Sequence, residues 1–402
     1  MQRCETLARH SELPGGLTRV FLSPEARAAG EQVLGWMREA GMQAKLDAIG
    51  NAVGRYEGER PGMACLMLGS HLDTVRDAGR YDGMLGVVSA IECVQALHSQ
   101  GVRLPFAIEV VGFGDEEGVR FGTTLLGSRA IAGALDPKVL ETRDASGTSI
   151  AEALHGFGLN PAEVPALRRK KGDVLAYAEL HIEQGPVLEA EGLPIGVVTA
   201  INGFSRLRVS LRGEAGHAGT VPMNLRRDAL AAAAECILAV ERLGREQSEL
   251  VATVGRIDAN PGAINVIPGE VHFTVDVRAP QDAIRNQAVA AVRVEISRIA
   301  AARNVVHAIE TLQELGSSAC APWLMKQLER AVEAQGVAVR RLPSGAGHDG
   351  MAIKAIADIA MLFVRCKGGV SHNPAESITR QDADIGARAL FSFIQNFHAV
   401  SA

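Results

Sequence analysis

Four short, mostly apolar runs with helix-like segments between them restrict the fold of this chain more than any other feature. The runs are Ala64–Leu68, Phe106–Phe113, Val174–Leu180 and Ile359–Val364. Because they do not alternate regularly between polar and apolar residues, they are typical of strands with both faces covered, as in a parallel sheet. Strands that alternate with helical patterns such as Gly83–Ser99 predict an α/β protein built on an open mixed sheet.

One helix can be delimited from its capping residues. Ser23 and Pro24 have the character of an N-cap and a first-turn proline, and Gly41 is a typical residue just past a helix end. Apolar residues recur at helical spacing between these limits, at Ala29, Val33, Trp36, Met37 and Ala40. The pattern predicts an amphipathic helix with one buried face.

The middle of the chain has a different pattern and predicts an inserted domain. Around Leu207–Leu211 and Val271–Val277, apolar and polar residues alternate, which indicates strands with one face in water. With the helices and strands expected on either side, the order is β-α-β-β-α-β, a compact ferredoxin-like unit. We predict that residues 205–315 form this inserted domain and that 1–204 and 316–402 form the larger, metal-binding catalytic domain.

Composition and charge exclude several classes of protein. The net charge of −5 argues against a nucleic-acid partner or an anionic membrane surface. The chain has no run of about 18 apolar residues and no apolar signal core at its N-terminus. Its six cysteines are scattered without CxxC spacing, as in a reduced compartment. These features predict a cytoplasmic protein.

Metal-ligand residue types follow each of the four apolar runs. They are His71, Asp73 and Asp82 after the first run, Glu116 and Glu117 after the second, His181 after the third and His372 after the fourth. In open α/β sheets the carboxyl ends of the strands line a single crevice, so these residues can converge. A single histidine or a glutamate pair would be unremarkable, but four such strand ends predict a metal site, since buried charges require partners.

The mixture of nitrogen and oxygen ligands, without thiolates, favours Zn²⁺, Mn²⁺, Co²⁺ or Ni²⁺. Two neighbouring ions need a bridging carboxylate, which Asp82 can supply at the start of a helix. We expect the carboxylate of Asp73 to accept the second N–H of His71 and fix its tautomer. Glu116 and Glu117 can then divide the roles of general base and metal ligand.

The chain resembles the M20-type amidohydrolases and peptidases with two metal ions, and within them the hydantoinase/carbamoylase amidases. The resemblance extends from about Gly15 to the C-terminus. It is carried by the ligand pattern above and by the strings ELHIEQGPVLE, GHAGTVPM, INVIPG, PSGAGHD and SHNPAE. It implies hydrolysis of an N-carbamoyl (ureido) acid, with a small lid domain that also forms a homodimer contact.

The resemblance also implies a role for each site residue. His71, Asp82 and His181 would hold one ion, and Asp82, Glu117 and His372 the other. Glu116 would be the general base, and His217 would stabilise the developing oxyanion. The implied substrate-binding residues are Gln184, His217, Asn265, Arg278 and His348, with Arg278 holding a carboxylate.

Several substrates and two other functions stay open at this point. N-carbamoyl-L-amino acids and allantoate are the leading substrates, with ureidoglycolate or N-carbamoyl-β-alanine as alternatives. A related metallo-dipeptidase is a second hypothesis, which cleavage of dipeptides would distinguish from ammonia release. A non-catalytic binding protein of the same fold is a third, which the complete ligand set and an intact Glu116 argue against.

Overall fold

The structure is a computed structural model that describes residues 1–399. Its helices are α1 (Gln2–Leu7), α2 (Pro24–Glu39), α3 (Met84–Ser99), α4 (Leu126–Ala132), α5 (Ile150–Gly156), α6 (Val187–Ala190), α7 (Ala229–Glu246), α8 (Asp282–Ala302), α9 (Pro322–Glu333), α10 (Gly350–Ile353) and α11 (Arg380–Gln395). Its strands are β1 (Gln43–Leu46), β2 (Ala52–Tyr56), β3 (Cys65–His71), β4 (Ala107–Phe113), β5 (Val174–Ile182), β6 (Ile195–Ile201), β7 (Gly203–Arg212), β8 (Gly216–His217), β9 (Val251–Asn260), β10 (Val266–Ile267), β11 (Glu270–Ala279), β12 (Val306–Leu315), β13 (Ser318–Ala319), β14 (Arg341–Ser344) and β15 (Ile359–Val364).

The chain divides into two compact units. Within residues 1–399, the first comprises Met1–Thr199, Cys320–Leu342 and residues 346–399, and the second comprises Ala200–Ala319 with Pro343–Gly345. The second unit therefore interrupts the first in sequence.

A mixed sheet forms the centre of the first unit, with strands in the order β1-β2-β4-β3-β5-β15-β6 and β14 beside β6. Strands β4, β3, β5 and β15 are parallel to one another, and β1, β2 and β6 are antiparallel to their neighbours. Every residue of β3, β4 and β15 is buried, as the apolar runs predicted. The four parallel strands end at the same edge of the sheet, so whatever follows them is gathered there.

Two of these strands are longer than their apolar runs. The ladder between β3 and β4 continues through Ser70 to the pair His71 and Phe113, and β5 continues to Ile182. Main-chain pairing depends on backbone groups, so it continues after the side chains become polar. His71 and His181 consequently lie in the strand ends themselves, where the sheet holds their main chain, rather than in the loops beyond.

The capping residues of α2 have the predicted roles. The Ser23 hydroxyl accepts a hydrogen bond from the Ala26 N–H at 3.0 Å, Pro24 is the first helical residue, and Gly41 has φ 75°. The apolar stripe faces inward, and Ala29, Val33 and Met37 are fully buried.

The second unit contains a four-stranded antiparallel sheet in the order β12-β7-β11-β9. Helices α7 and α8 lie against it and against each other. Alternate residues such as Leu207, Val209 and Phe273 are at most 1% exposed. The residues between them point to the other face, where Arg208 pairs with Glu310 at 3.0 Å. The alternation of apolar and polar residues in this segment therefore reflects a sheet with one buried face and one face in water, as predicted.

Among residues 1–399, no helix combines the length and the apolar composition needed to cross a bilayer.

Candidate metal centre

Two histidines from neighbouring strand ends face one carboxylate oxygen. The Nε2 atoms of His181 and His71 lie 3.2 and 3.5 Å from Oδ1 of Asp82. All three side chains are buried, and their ligand atoms lie close enough together to share one ion. Asp82 comes from the loop that leads into α3, so β3, β5 and this loop together build the group.

A second group forms on the other oxygen of the same carboxylate. Nε2 of His372 lies 3.2 Å from Oδ2 of Asp82 and 3.4 Å from Oε1 of Glu117. These three residues form another cluster able to hold an ion, although the His372 side chain is half exposed. Asp82 therefore has one oxygen in each group, which is the arrangement of a bridging ligand.

The hydrogen bonds of the histidines direct lone pairs at Asp82. Nδ1 of His71 lies 3.0 Å from the Asp73 carbonyl oxygen, and Nδ1 of His181 lies 2.9 Å from that of Ile182. A carbonyl can only accept, so each Nδ1 carries a proton and, in the neutral ring, Nε2 is an acceptor. Nε2 of His181 also accepts the N–H of Gly83 at 3.2 Å. Oδ1 of Asp82 is buried and accepts no hydrogen bond from any donor in residues 1–399. Lone pairs that face one another across such a gap fit a cation between them.

The pKa shifts show the same preference for positive charge. Burial lowers the pKa of His71, but Asp82 and Glu116 outweigh this effect and raise that pKa well above its usual value. Burial likewise raises the pKa of Asp82, but the contacts with His181, His372 and His71 hold it well below its usual range. The residues present therefore fit a divalent metal ion.

A glycine allows Asp82 to approach His71. Gly83 has φ 73°, in the left-handed region, and a Cβ at this position would lie 2.6 Å from Cε1 of the His71 ring. Any other residue would be strained in its backbone and would also displace the imidazole. The sequence Asp82-Gly83 is thus required by the close packing of the loop on the end of β3.

Asp73 has a different role from the one we expected. The His71 ring is oriented by the main-chain carbonyl of Asp73, while the carboxylate accepts the N–H groups of Glu116 and Glu117, each at 3.1 Å. The prediction that the carboxylate itself orients His71 is therefore wrong. The loop after β4 presents two N–H groups, one buried and one partly buried, that need an acceptor, and a carboxylate with two oxygens can satisfy both.

Glu116 is suited to hold a proton. Burial raises its pKa well above the usual value, Glu117 and Asp349 raise it further, and His71 opposes them. Its neighbour Glu117 has a pKa raised to about 7, mainly by burial. A carboxylate in such surroundings gains a proton more readily than one in water, which is the property of a general base near neutral pH.

Two predicted substrate-binding residues contact the cluster directly. Gln184, with φ 57°, donates from Nε2 to Oδ2 of Asp82 at 3.0 Å. His348 is only 1% exposed and packs edge-on against His181, with ring centroids 4.5 Å apart. Burial lowers the pKa of His348 well below its usual value, with His181 adding to the effect. His348 therefore lies against a candidate ligand, whereas the resemblance implies a place facing the substrate.

The remaining predicted residues lie in the second unit. His217 and Asn265 are brought together by the pairing of β8 with β10, where the Ala218 N–H donates to the Asn265 carbonyl at 3.0 Å. Nδ1 of His217 accepts the N–H of Gly219 at 3.1 Å, so its Nε2 carries the proton of the neutral ring. Both side chains are exposed.

Arg278 has partners within the second unit that the sequence did not predict. Its guanidinium binds Asp276 through Nε and Nη2, at 2.8 and 3.1 Å, and donates from Nη1 to the Gly345 carbonyl at 2.8 Å.

Sequence reasoning missed two buried residues that hold the site's loops. Arg19 is fully buried and donates to the carbonyls of Leu72 and Leu7, at 2.8 and 2.7 Å. Glu376 accepts main-chain N–H groups beside Asp82. Glu376 could have been suspected, because it belongs to the same SHNPAE string as His372. Arg19 gave no signal, since it stands in an ordinary apolar context.

Comparison with known proteins agrees with this geometry. The model of peptidase family M20/M25/M40 matches residues 67–396 of the chain. The chain belongs to this family. It is 45% identical to the N-carbamoyl-L-amino acid amidohydrolase of Geobacillus stearothermophilus, over 97% of this chain and 96% of that protein. It is 41% identical to allantoate deiminase 1 of Glycine max, over 98% of this chain and 88% of that protein.

The solved structure of an amidase is closely similar to this chain. The hydantoinase/carbamoylase family amidase from Burkholderia multivorans superimposes with a TM-score of 0.93 at 36% identity. The match covers 98% of this chain and 95% of that one. The α/β fold and the large mixed sheet of this chain are therefore those of an M20 protein.

We predict that Asp73→Asn loosens the loop that carries Glu116 and Glu117. An amide side chain has one acceptor oxygen, so one of the two N–H groups loses its partner, at a cost of about 1–3 kcal/mol in the free energy of unfolding. Denaturant unfolding would measure this loss, and hydrogen exchange would show faster exchange of one or both amides. The exposed Asp77→Asn is the matched control and should change stability by less than about 0.5 kcal/mol. Wild-type protection of both amides in Asp73→Asn would contradict the assignment.

Proposed function

We propose that this protein is a metal-dependent amidohydrolase that cleaves the carbamoyl C–N bond of N-carbamoyl-L-amino acids or allantoate. The observation that carries the proposal is Asp82, whose two carboxylate oxygens face two separate groups of ligand residues. The names of the M20 relatives supply the substrate class. A rice ureidoglycolate hydrolase, 35% identical over 97% of this chain and 82% of that protein, keeps ureidoglycolate as an alternative substrate.

The proposed cofactor is a pair of divalent ions, Zn²⁺, Mn²⁺, Co²⁺ or Ni²⁺. His71 and His181 would hold one ion, Glu117 and His372 the other, and Asp82 would bridge them. Ions of this kind, when bound, lower the pKa of a water molecule and polarise a carbonyl oxygen.

Glu116 is the proposed general base. Its carboxylate takes a proton from the attacking water as the new C–O bond forms at the carbamoyl carbon. It then delivers that proton to the leaving nitrogen as the C–N bond breaks. For an N-carbamoyl amino acid the products are the amino acid and carbamate, which decomposes to carbon dioxide and ammonia. Asp73 supports this role because it fixes the main chain of Glu116.

His217, Asn265, Gln184 and Arg278 are the proposed substrate-binding residues. The proton on Nε2 of His217 makes that atom a donor suited to a developing oxyanion. A planar guanidinium such as that of Arg278 can bind both oxygens of a carboxylate. We retain His348 as a fifth candidate, although its burial against His181 favours an indirect role.

We further propose that the second unit is a ferredoxin-like insertion that acts as a lid and forms the contact of a homodimer. The order β-α-β-β-α-β and the two helices packed on one antiparallel sheet support the fold. The edge strand β9 is largely exposed, including Val251 and Ile257, and a long exposed edge is a site for pairing with another chain. A cytoplasmic location is supported by the six cysteines, all of which are unpaired.

An ammonia-release assay on metal-reconstituted protein tests the proposed function. We expect turnover of allantoate or of N-carbamoyl-L-amino acids, and weaker or no turnover of ureidoglycolate, N-carbamoyl-β-alanine and dipeptides. Chelation should abolish activity, and Mn²⁺, Co²⁺, Ni²⁺ or Zn²⁺ should restore it, except in Asp82→Ala. Full turnover by protein that elemental analysis shows to be metal-free would refute the proposal, and cleavage of dipeptides alone would favour the peptidase hypothesis.

Mutation should separate the roles of Glu116 and Glu117. Glu116→Gln should retain both ions but lose roughly 100- to 10,000-fold in kcat, because it removes the base and no bond to metal. Glu117→Gln should lose part of its metal content. Elemental analysis beside steady-state kinetics measures both effects, with each variant serving as the control for the other. Equal metal loss in the two variants would mean that these assignments are wrong.

Arg278 should determine the preference for a substrate carboxylate. Arg278→Ala should cost about 2–4 kcal/mol of transition-state binding, roughly 30- to 1000-fold in kcat/KM. Arg278→Lys should also be impaired, because lysine lacks the second hydrogen bond. The measurement compares an N-carbamoyl amino acid with the same molecule amidated at its carboxylate. If wild type and Arg278→Ala discriminate equally between the two, Arg278 does not bind the carboxylate.

A further inference from the structure

The loop that carries Asp82 has two buried N–H groups with the same partner. The main-chain N–H groups of Tyr81 and Asp82 both donate to Oε1 of Glu376, at 2.7 and 3.2 Å. Neither N–H belongs to a strand ladder, and the first turn of α3 begins only at Met84. Buried N–H groups at such a position need an acceptor from elsewhere in the chain. Glu376 supplies it.

The other oxygen of Glu376 contacts the second loop of the site. Oε2 accepts the hydroxyl of Ser371 at 3.2 Å, and the same hydroxyl lies 3.0 Å from Oδ2 of Asp82. Ser371 directly precedes His372 in the sequence. One carboxylate therefore joins the main chain of the bridging aspartate to the loop that carries His372.

The protein leaves little room for any other position of this carboxylate. Glu376 is only 5% exposed. Gly79 packs directly against it, and a Cβ at Gly79 would lie 2.1 Å from Cδ and 2.3 Å from Oε1 of Glu376. A side chain at residue 79 would consequently push the carboxylate away from the Tyr81 and Asp82 N–H groups.

We propose that Glu376 is a positioning residue that holds the Asp82 carboxylate between its two groups of ligands. It acts through the main chain of residues 81 and 82 and through Ser371, and it does not touch substrate. This inference rests on the proposed dinuclear metal site, since the role assigned to Glu376 is to fix the position of a ligand of that site. Glu376 does not belong to any of the ligand clusters found among residues 1–399, so a direct bond to metal is not the reason for its burial.

Two kinds of variant separate geometry from charge. Glu376→Ala removes both the acceptor and the negative charge, and Glu376→Gln keeps one acceptor oxygen. Gly79→Ala keeps the charge but displaces the carboxylate. The matched controls are Glu109→Gln, at a buried glutamate that pairs with Arg169 at 2.8 Å, and Gly35→Ala, where, apart from the two chain neighbours and the helix's own backbone, no atom of residues 1–399 would lie within 4 Å of an added Cβ.

The test is titration of metal-free protein with Mn²⁺ by calorimetry, together with electron paramagnetic resonance of the loaded protein. We expect Glu376→Ala and Gly79→Ala to bind Mn²⁺ about 10- to 100-fold more weakly than wild type. Their spectra should show weaker magnetic coupling between the two ions, because a displaced Asp82 bridges them poorly. Glu376→Gln should lie between wild type and Glu376→Ala. At saturating Mn²⁺ the KM of the variants should match wild type, while kcat is reduced. Both controls should bind Mn²⁺ as wild type does.

The outcomes distinguish this inference from the proposed function. If wild type binds two coupled ions and Gly79→Ala and Glu376→Gln do so with equal affinity, the positioning role is refuted. Loss of affinity in Glu376→Ala but not in Gly79→Ala would mean that only the charge matters, which also refutes it. If wild type itself binds no pair of ions, the proposed dinuclear site is refuted, and the positioning role of Glu376 is refuted with it. Should Glu376→Ala fail to fold, Glu376→Gln and Gly79→Ala decide the question.

Discussion

The whole site depends on a buried carboxylate that is shared between two sets of ligands. Asp82 is only 5% exposed, and three imidazole Nε2 atoms lie 3.2–3.5 Å from its oxygens. An isolated charge in such a place would be costly, and the contacts with His181, His372 and His71 favour the charged form of the carboxylate. The close packing at Gly83 and the lengths of β3 and β5 can be understood as requirements of this single group.

A second feature of the site is that carboxylates hold the backbone of its loops. Asp73 accepts the N–H groups of residues 116 and 117, and Glu376 accepts those of residues 81 and 82. In both cases the acceptor comes from a different ligand-bearing loop. Loops normally expose their polar backbone to water, and these two are buried only because neighbouring loops satisfy them. The loops therefore support one another, and none is shaped independently.

Sequence patterns predicted the sheet and the convergence of His71, Asp82, His181 and His372, because apolar runs and strand ends are local signals. The chemistry of the donor atoms likewise predicted a metal site. The patterns could not predict which atom of Asp73 contacts His71, since its carbonyl and its carboxylate are both within reach. They also could not assign Glu376 or the burial of His348, because these depend on contacts between residues far apart in the chain.

Strand order has a consequence for how the protein is made. β15 lies between β5 and β6 in the sheet, although it is synthesised after all the other strands of that sheet among residues 1–399. A nascent chain that ends before residue 359 leaves the edge of β5 unpaired, and it lacks both His372 and Glu376. The ribosome thus releases these two components of the candidate metal site only after the other strands of the sheet. Until then the growing polypeptide exposes an apolar sheet edge, which is a natural target for chaperones.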